Sequence, residues 1–534
     1  MHPRSIARFS DWDTMRSEFT WAIPERFNFA HACCDHWAAL DSNRVALIDI
    51  SETERVVWTY GRLKEASDRL AGALAARGVI RGDRIGLLLP QGAPVNLGHF
   101  AAYKLGAIAL PLFTLFGPDA LVYRLKDAGT KVVLTDDENL PKVQGLSDQL
   151  PELSLVATTG TGPATKFSHL LEHAPIDAPV DTNADDPACM IYTSGTTGNP
   201  KGVLHAHRFL LGHLPSVEAH HAGFPQTGDC GWTPADWAWI GGLMDLAMPC
   251  LYHGVPLIAR RFAKFDPQAA WDLIAREKIT TLFLPPTALK RMAQLTPPED
   301  HVIRTISSGG EALGADLLAW GQNTLAAPIN EIYGQTECNL VLSSVAGAMP
   351  IKPGSMGRAV PGFDVTIRNP TTLQECPYGE EGEICIRLPS PVAFLRYWNK
   401  PEQTAQKTRD GWLWTGDLGV QDETGTFTFV SRDDDMITSA GYRIGPTEIE
   451  TCLTAHSDVL MAAVVGLPDP KRTEAVTAIV VPIRQRPGLE LDLIDWVKSR
   501  LSPHMAPRRV ILQGNLPMTA TGKIQRRKLR EMFS

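Results

Sequence analysis

Ile191-Tyr192-Thr193-Ser194-Gly195-Thr196-Thr197-Gly198-Asn199-Pro200-Lys201-Gly202 is a hydroxyl- and glycine-rich stretch that directly follows the short strand-like run 189–192. Glycines let backbone N–H groups converge on phosphate oxygens, hydroxyls add donors and a lysine supplies a point charge. The stretch is not the common P-loop, which needs Gly-Lys followed by Ser or Thr. Here Pro200 precedes Lys201 and Gly202 follows it. On composition alone a flexible surface loop is an equal reading.

On either side, short aliphatic runs alternate with amphipathic stretches: 84–89, then 95–105, then 108–112, with further runs at 131–135, at 279–284 before a helix over 287–293, and at 303–307. This rhythm predicts βαβ units, hence an α/β fold with mixed or mostly parallel sheets flanked by helices. The most apolar windows, 105–116 and 244–257, are broken by Pro and Gly and read as buried strands and turns. Neither approaches the roughly 18–20 uninterrupted apolar residues of a membrane span. Around 431–436 a charged run, Ser-Arg-Asp-Asp-Asp-Met, marks a change of texture. Beyond it lie strand-like runs at 461–466, 476–483 and 509–512 and a helix over 491–501, about a hundred residues in all, enough for a small α+β domain.

The 534 residues are 44% hydrophobic and 21% charged, the balance of a globular enzyme large enough for two domains. A net charge of -8 argues against nucleic acid or anionic membrane surfaces as partners, because both attract a positive field. The nine cysteines show no CxxC pair, and the N-terminus has no apolar run of the secretory kind, so a cytoplasmic protein with reduced thiols is expected.

Three further segments carry chemistry. Asn330-Glu331-Ile332-Tyr333-Gly334-Gln335-Thr336-Glu337 joins an aromatic face to a glycine and a carboxylate, which suits a planar base and a hard cation such as Mg²⁺. Trp412-Leu413-Trp414-Thr415-Gly416-Asp417 puts an aspartate after a strand-like run, where it can accept from ribose hydroxyls. Leu516-Pro517-Met518-Thr519-Ala520-Thr521-Gly522-Lys523-Ile524 places a lysine at a glycine turn before the basic helix 525–530. Each alone is weak: a strand end, a turn aspartate and a solvated lysine are the ordinary alternatives.

In order and spacing these segments resemble the adenylate-forming superfamily of acyl-CoA synthetases, adenylation domains and luciferases, over nearly the whole chain. The medium-chain acyl-CoA synthetases are the nearest in look, through Pro24-Glu25-Arg26-Phe27-Asn28-Phe29-Ala30, Lys352-Pro353-Gly354-Ser355-Met356-Gly357 and Ala440-Gly441-Tyr442-Arg443-Ile444-Gly445-Pro446. The resemblance implies a large AMP-binding N-terminal domain over 1–432 and a small mobile C-terminal domain over 433–534, hinged near Asp434. It implies an ATP-dependent acid:CoA ligase that activates a short- to medium-chain or aryl carboxylic acid as acyl-AMP and passes it to coenzyme A.

By the same resemblance, Thr193, Ser194, Gly195, Thr196, Thr197, Gly198 and Lys201 would hold the β- and γ-phosphates, and Glu337 with Thr193 would serve Mg²⁺. Gly310, Glu311 and Tyr333, with Gly334, Gln335 and Thr336, would enclose the nucleotide base, while Asp417 and Arg432 would hold the ribose. Lys523 would bridge the carboxylate and the α-phosphate. Rotation of the small domain would then bring Ser439, Gly441, Tyr442 and Arg443 beside a tunnel for the pantetheine arm. In the segment 233–242, Trp239 and Gly241, with Ser308, would line the acid pocket; Trp237 reads equally well as core. Ala238 stands where the medium-chain relatives usually carry Gly, and 503–508 departs from their pattern. His205, His207, His220 and His221, taken to lie on a helix, do not gather as zinc ligands. Two other readings stay open: an adenylation enzyme that loads a separate carrier protein, and a non-catalytic acyl-nucleotide sensor. Homo-oligomerisation is likewise open.

Overall fold

The run at 84–89 becomes the strand Arg84–Leu88, buried on both faces as a central parallel strand must be. Helix Ala93–Lys104 follows, with Pro94 in its first turn where a missing N–H costs nothing, and the chain returns as strand Ile108–Pro111, parallel to the first. The expected βαβ rhythm is therefore real. The computed structural model describes all residues except 1, 194–199, 311–312, 433–434, 440–441, 470–471, 502–504 and 520–522, and gives residues 147, 438, 442 and 443 by backbone alone.

Two large sheets form the N-terminal part. In one, the spatial order is 396–397, 201–206, 187–193, 108–111, 84–88, 130–135, 155–158 and 165–166. It is parallel except at the hairpin of Pro187–Thr193 with Lys201–Ala206 and at the edge strand beyond it. The other sheet is parallel through 257–259, 231–232, 281–283, 305–309 and 329–333, then turns antiparallel through 342–343, 357–359, 426–432 and 412–421. One apolar core, which includes Phe100, Tyr103, Phe209, Trp237, Phe283 and Leu413, joins the two.

The tail folds on its own sheet of Ile437–Ser439, Tyr442–Ile444, Val459–Asp469, Thr473–Pro482 and Arg509–Leu512. Apolar residues cover both of its faces, Ile449, Val464 and Leu493 on one and Val465, Ile479 and Leu529 on the other. This is the smaller α+β domain. Among the described residues no helix is long and apolar enough to cross a membrane.

Two expectations need correction. The window 244–257 is mostly helical: the chain runs through the wide turn Leu243–Ala247 into helix Met248–His253 before strand Leu257–Ala259. The Met248 N–H reaches back to Leu243 O, and this wider turn accommodates Pro249, which lacks an N–H and would crowd a regular turn. Nor do the four histidines share a helix. His205 lies in the strand Lys201–Ala206, paired with Cys189, His207 follows that strand, and only His220 lies in helix Phe209–His220.

Lys104 is fully buried at the end of its helix, where its ammonium meets Asp35 at 2.8 Å, Ser67 Oγ at 2.9 Å and Asp68. One cation thus ties together three helical segments. Lys104→Met should leave the buried Asp35 carboxylate without its cation and Asp68 with Lys64 alone, and cost about 3–5 kcal/mol. A clear drop in thermal midpoint checks this; an unchanged midpoint would mean that the carboxylates are solvated or protonated at little cost.

Candidate active site

Thr193 and Lys201 lie opposite each other in the antiparallel hairpin, so the two ends of the glycine-rich stretch are pinned across a sheet edge. Residues 194–198, expected to hold phosphates, lie outside the described residues, as do Glu311, Asp434 and Gly441. The Lys201 ammonium stands 4.8 Å from the centre of the Tyr397 ring. The Tyr397 hydroxyl donates to Glu337 Oε1 at 2.5 Å, which orients the carboxylate. Burial lowers the Lys201 pKa, Glu337 opposes the shift, and Lys407, Lys400 and Arg432 add to it. A cluster of cations therefore faces this end of the cleft.

Asp417 is the organising acceptor of the floor. It takes hydrogen bonds from the Tyr333 hydroxyl at 2.8 Å and from Gln335 Nε2 at 2.6 Å, with an Arg432 guanidinium nitrogen at 3.9 Å. Asp417 lies inside the strand Trp412–Gln421, where it pairs with Arg432, and not after a strand as expected from sequence. The strand continues because Thr426–Arg432 offers it a partner along its whole outer half. Burial, and next the nearby Asp417, push the Tyr333 pKa well above that of a free phenol, so the hydroxyl keeps its proton and donates. Gln335 also reaches Thr415 O, which Lys407 caps at 2.6 Å.

Lys523 enters from the small domain. A Cβ on Gly310 would meet the Trp239 ring at 3.6 Å and Lys523 Cε at 4.0 Å, and Gly310 has a φ of 98°, a left-handed geometry that favours glycine. The lysine sits on a turn closed by Thr519 N–H to Lys523 O at 2.7 Å and Lys523 N–H to Thr519 Oγ at 3.0 Å. Together Thr193, Lys201, Trp239, Gly310, Tyr333, Gly334, Gln335, Thr336, Glu337, Asp417, Arg432 and Lys523 line one cleft of about 1610 Å³.

Other expected residues stand apart from its lining. Gly241 lies one layer back, packed so that a Cβ there would come within 2.9 Å of the Trp239 ring, and Trp237 is core. Ser308 is buried with an unpartnered Oγ beside Glu331 on the neighbouring strand. Ser439 pairs with Tyr442 and Thr473 in the small sheet and does not line the cleft; of Tyr442 and Arg443 only the backbone is described.

The structure also brings in residues that were not assigned from sequence. Glu331 lines the cleft with Oε2 buried and unpartnered, and burial pushes its pKa up to about 8, with only the Leu313 N–H pulling the other way. Its place two residues before Tyr333 in a quoted segment was the available signal. Tyr397 and Glu383, whose Oε1 accepts the Gly416 N–H at 2.6 Å, had none, being polar residues in ordinary strand text.

Residues 34–398 match the AMP-binding enzyme family, and residues 448–523 match the AMP-binding enzyme C-terminal domain. Acyl-coenzyme A synthetase ACSM5, mitochondrial, of Rattus norvegicus is 35% identical, with 95% of this chain and 91% of that protein covered. The mouse ACSM3 protein, also named mitochondrial, is 31% identical over 98% and 93%. Among solved structures, the anthranilate CoA ligase AuaEII in complex with anthranoyl-AMP superposes with a TM-score of 0.88 at 27% identity, covering 96% of this chain and 98% of that one. A benzoate CoA ligase from Burkholderia xenovorans gives 0.82 at 28%, covering 94% and 100%. With both of its domains matched, and a nucleotide-sized cleft between its sheets that the small domain's lysine enters, the chain belongs to the AMP-binding enzyme family.

Proposed function

We propose that this ATP-dependent, AMP-forming acid:CoA ligase activates a short- to medium-chain or aryl carboxylic acid in the cleft beside Trp239, with Lys523 as the cation of the adenylation step. The carrying observation is the approach of Lys523 to Gly310 and Trp239, in the cleft that Thr193 and Lys201 also line. Adenylation joins two anions: the carboxylate attacks the α-phosphorus, pyrophosphate leaves, and negative charge builds on phosphorus. An ammonium between the two in a partly desolvated cleft stabilises that charge more than it stabilises either reactant.

In this reading Lys201, Thr193 and residues 194–198 hold the β- and γ-phosphates. Asp417 accepts from the ribose hydroxyls with Arg432 beside it, and Gly310, Glu311 and Tyr333 flank the base. The unpartnered Glu331 oxygen suits the exocyclic amino group of adenine, which would replace a missing partner with a donor. Glu337, oriented by Tyr397, and Thr193 offer hard oxygen ligands that fit Mg²⁺, which would neutralise phosphate charge when bound.

The second step breaks the mixed anhydride: the coenzyme A thiol attacks the acyl carbon and AMP leaves. Lys523 has no part in it. We place the domain boundary at 432/433 with the hinge at Asp434, so that rotation withdraws Lys523 and presents Ser439, Gly441, Tyr442 and Arg443 to the pantetheine arm. The position of Ser439 away from the cleft while Lys523 is in it supports this reading as the adenylating arrangement. Nine unpaired cysteines support a reducing, cytoplasmic setting.

Lys523→Ala should cut acyl-AMP formation by 100-fold or more, about 2.7 kcal/mol or more of lost transition-state stabilisation. Thioester formation from supplied acyl-AMP and coenzyme A should stay within a few fold of wild type. Equal loss of both half-reactions, measured separately, would defeat the division of labour. Glu331 makes a second prediction. Its folded pKa is raised, so the fold holds a proton that the unfolded chain releases near pH 4.5, and its contribution is present below that pH and lost as pH rises through about 8. The thermal midpoint of nucleotide-free enzyme should therefore fall between pH 5 and pH 8.5, and Glu331→Gln should flatten that slope and weaken ATP binding. Parallel slopes for the two proteins would show that Glu331 titrates normally.

A further inference from the structure

Helix Pro118–Ala128 buries Leu121, Arg124, Leu125 and Ala128, the i, i+3, i+4, i+7 stripe of an amphipathic helix. A cation thus stands where that stripe calls for an apolar side chain. Arg124 keeps 5% of its surface accessible, and it lines the cleft together with Phe113, Phe116, Tyr192 and Thr193. Its guanidinium carbon lies 4.0 Å from the centre of the Phe116 ring and 6.0 Å from that of Tyr192. Nη1 donates to the Ala120 carbonyl at 2.8 Å, whereas Nε is buried with no acceptor. Among the described residues no carboxylate pairs with this cation.

The same helix grips both flanks of the glycine-rich stretch. Before it, the Tyr192 hydroxyl donates to Asp127 Oδ2 at 2.6 Å; after it, the Tyr123 hydroxyl donates to Pro200 O at 3.2 Å. The Asp127 carbonyl also accepts from Trp398 Nε1 at 3.0 Å and Asn399 Nδ2 at 3.2 Å, next to the Tyr397 that orients Glu337. Arg124 lies between Tyr123 and Asp127 on the helix, so it belongs to the end of the cleft that Thr193 and Lys201 line. A guanidinium held out of water with one neutral acceptor is costly in the empty enzyme. Stacking on Phe116 offsets part of that cost, and it uses the face of the group while leaving the N–H edge for an oxyanion. The planar fork of that edge matches a pair of phosphate oxygens.

We propose that Arg124 is a further anion-binding residue of the cleft, taking the outer phosphates of ATP and then the departing pyrophosphate. The inference rests on the acid:CoA ligase reading above and deepens it by adding a residue at the leaving-group end. As the carboxylate oxygen bonds to the α-phosphorus, the bond from that phosphorus to the bridging oxygen breaks, and its electron pair stays with pyrophosphate. The guanidinium neutralises the charge so gained. Coenzyme A also carries phosphates, but the bonds of this helix to Tyr192 and Pro200 favour the nucleotide.

The test compares full-length wild type, Arg124→Met and Arg124→Lys, with inorganic pyrophosphate and Mg²⁺ as the probe. Because the cation is unpaired in the empty site, Arg124→Met should leave the thermal midpoint of nucleotide-free enzyme unchanged or higher. Its dissociation constant for pyrophosphate, measured by calorimetry, should rise about 10-fold or more, with Arg124→Lys between it and wild type. The kcat/KM for ATP in acyl-AMP formation should fall by a similar factor, while thioester formation from supplied acyl-AMP and coenzyme A keeps its wild-type rate. Equal pyrophosphate affinity in wild type and Arg124→Met overturns the proposal. So does a loss that appears in the KM for coenzyme A instead, or a lowered midpoint with both half-reactions reduced alike, the mark of a merely structural arginine. Should the methionine variant not fold, unchanged pyrophosphate affinity in Arg124→Lys overturns the proposal by itself. Failure of wild type to release AMP with any acid would defeat the ligase reading, whereas pyrophosphate binding that depends on Arg124 would still establish the anion site.

Discussion

The cleft depends on one buried carboxylate. Asp417 accepts from Tyr333 and Gln335 on one side and faces Arg432 on the other, joining the end of the parallel strand Ile329–Tyr333 to the antiparallel pair that carries Asp417 and Arg432. Without that acceptor, a phenol and an amide would be left to find water in a largely desolvated floor. With it, two donors hold their positions and Arg432 is kept nearby before any nucleotide arrives. Such preorganisation matters because groups already aligned need no reorganisation when charge develops. The Thr415 carbonyl, shared by Gln335 and Lys407, extends the same rigidity one step toward the phosphate end.

Lys523 comes to the cleft from the smaller C-terminal domain. The turn bearing Lys523 is closed by its own backbone, by Thr519 and by the bridge of Met518 to Ile524. Immediately after it, Arg526 bonds Asp435 and Glu450, and Arg530 bonds Asp435. These bonds tie Thr519, Lys523 and the helix after them to the small domain. In the proposed domain rotation, the lysine would move together with the small sheet.

Much of this was legible in the sequence because the chemistry is concentrated in short runs. The 330–337 and 412–417 segments each placed their side chains in the cleft, and the alternating aliphatic runs gave the strands within a residue or two. What could not be read depends on pairing between distant segments. Nothing in the text of residues 396–398 shows that Tyr397 will orient Glu337, because the contact exists only once strand Arg396–Tyr397 docks on Lys201–Ala206. Local pattern also failed at 244–257, where Pro and Gly read as breakers but a wide turn let the helix continue. Gly241 and Ser308 show a third limit. They lie one layer behind the cleft lining, a distinction set by packing depth and absent from spacing.

The charge balance resolves along similar lines. A chain of net charge -8 repels a polyanionic nucleotide at long range, so binding must come from close contacts. Lys201, Lys407, Arg432 and Lys523 all line the cleft, and Lys400 adds to the field at Lys201. Burial lowers the Lys201 pKa first, and the neighbouring cations Lys407, Lys400 and Arg432 lower it further against the pull of Glu337. In the proposed reading, phosphate replacing water among these cations would form charge-assisted bonds that strengthen as the dielectric falls.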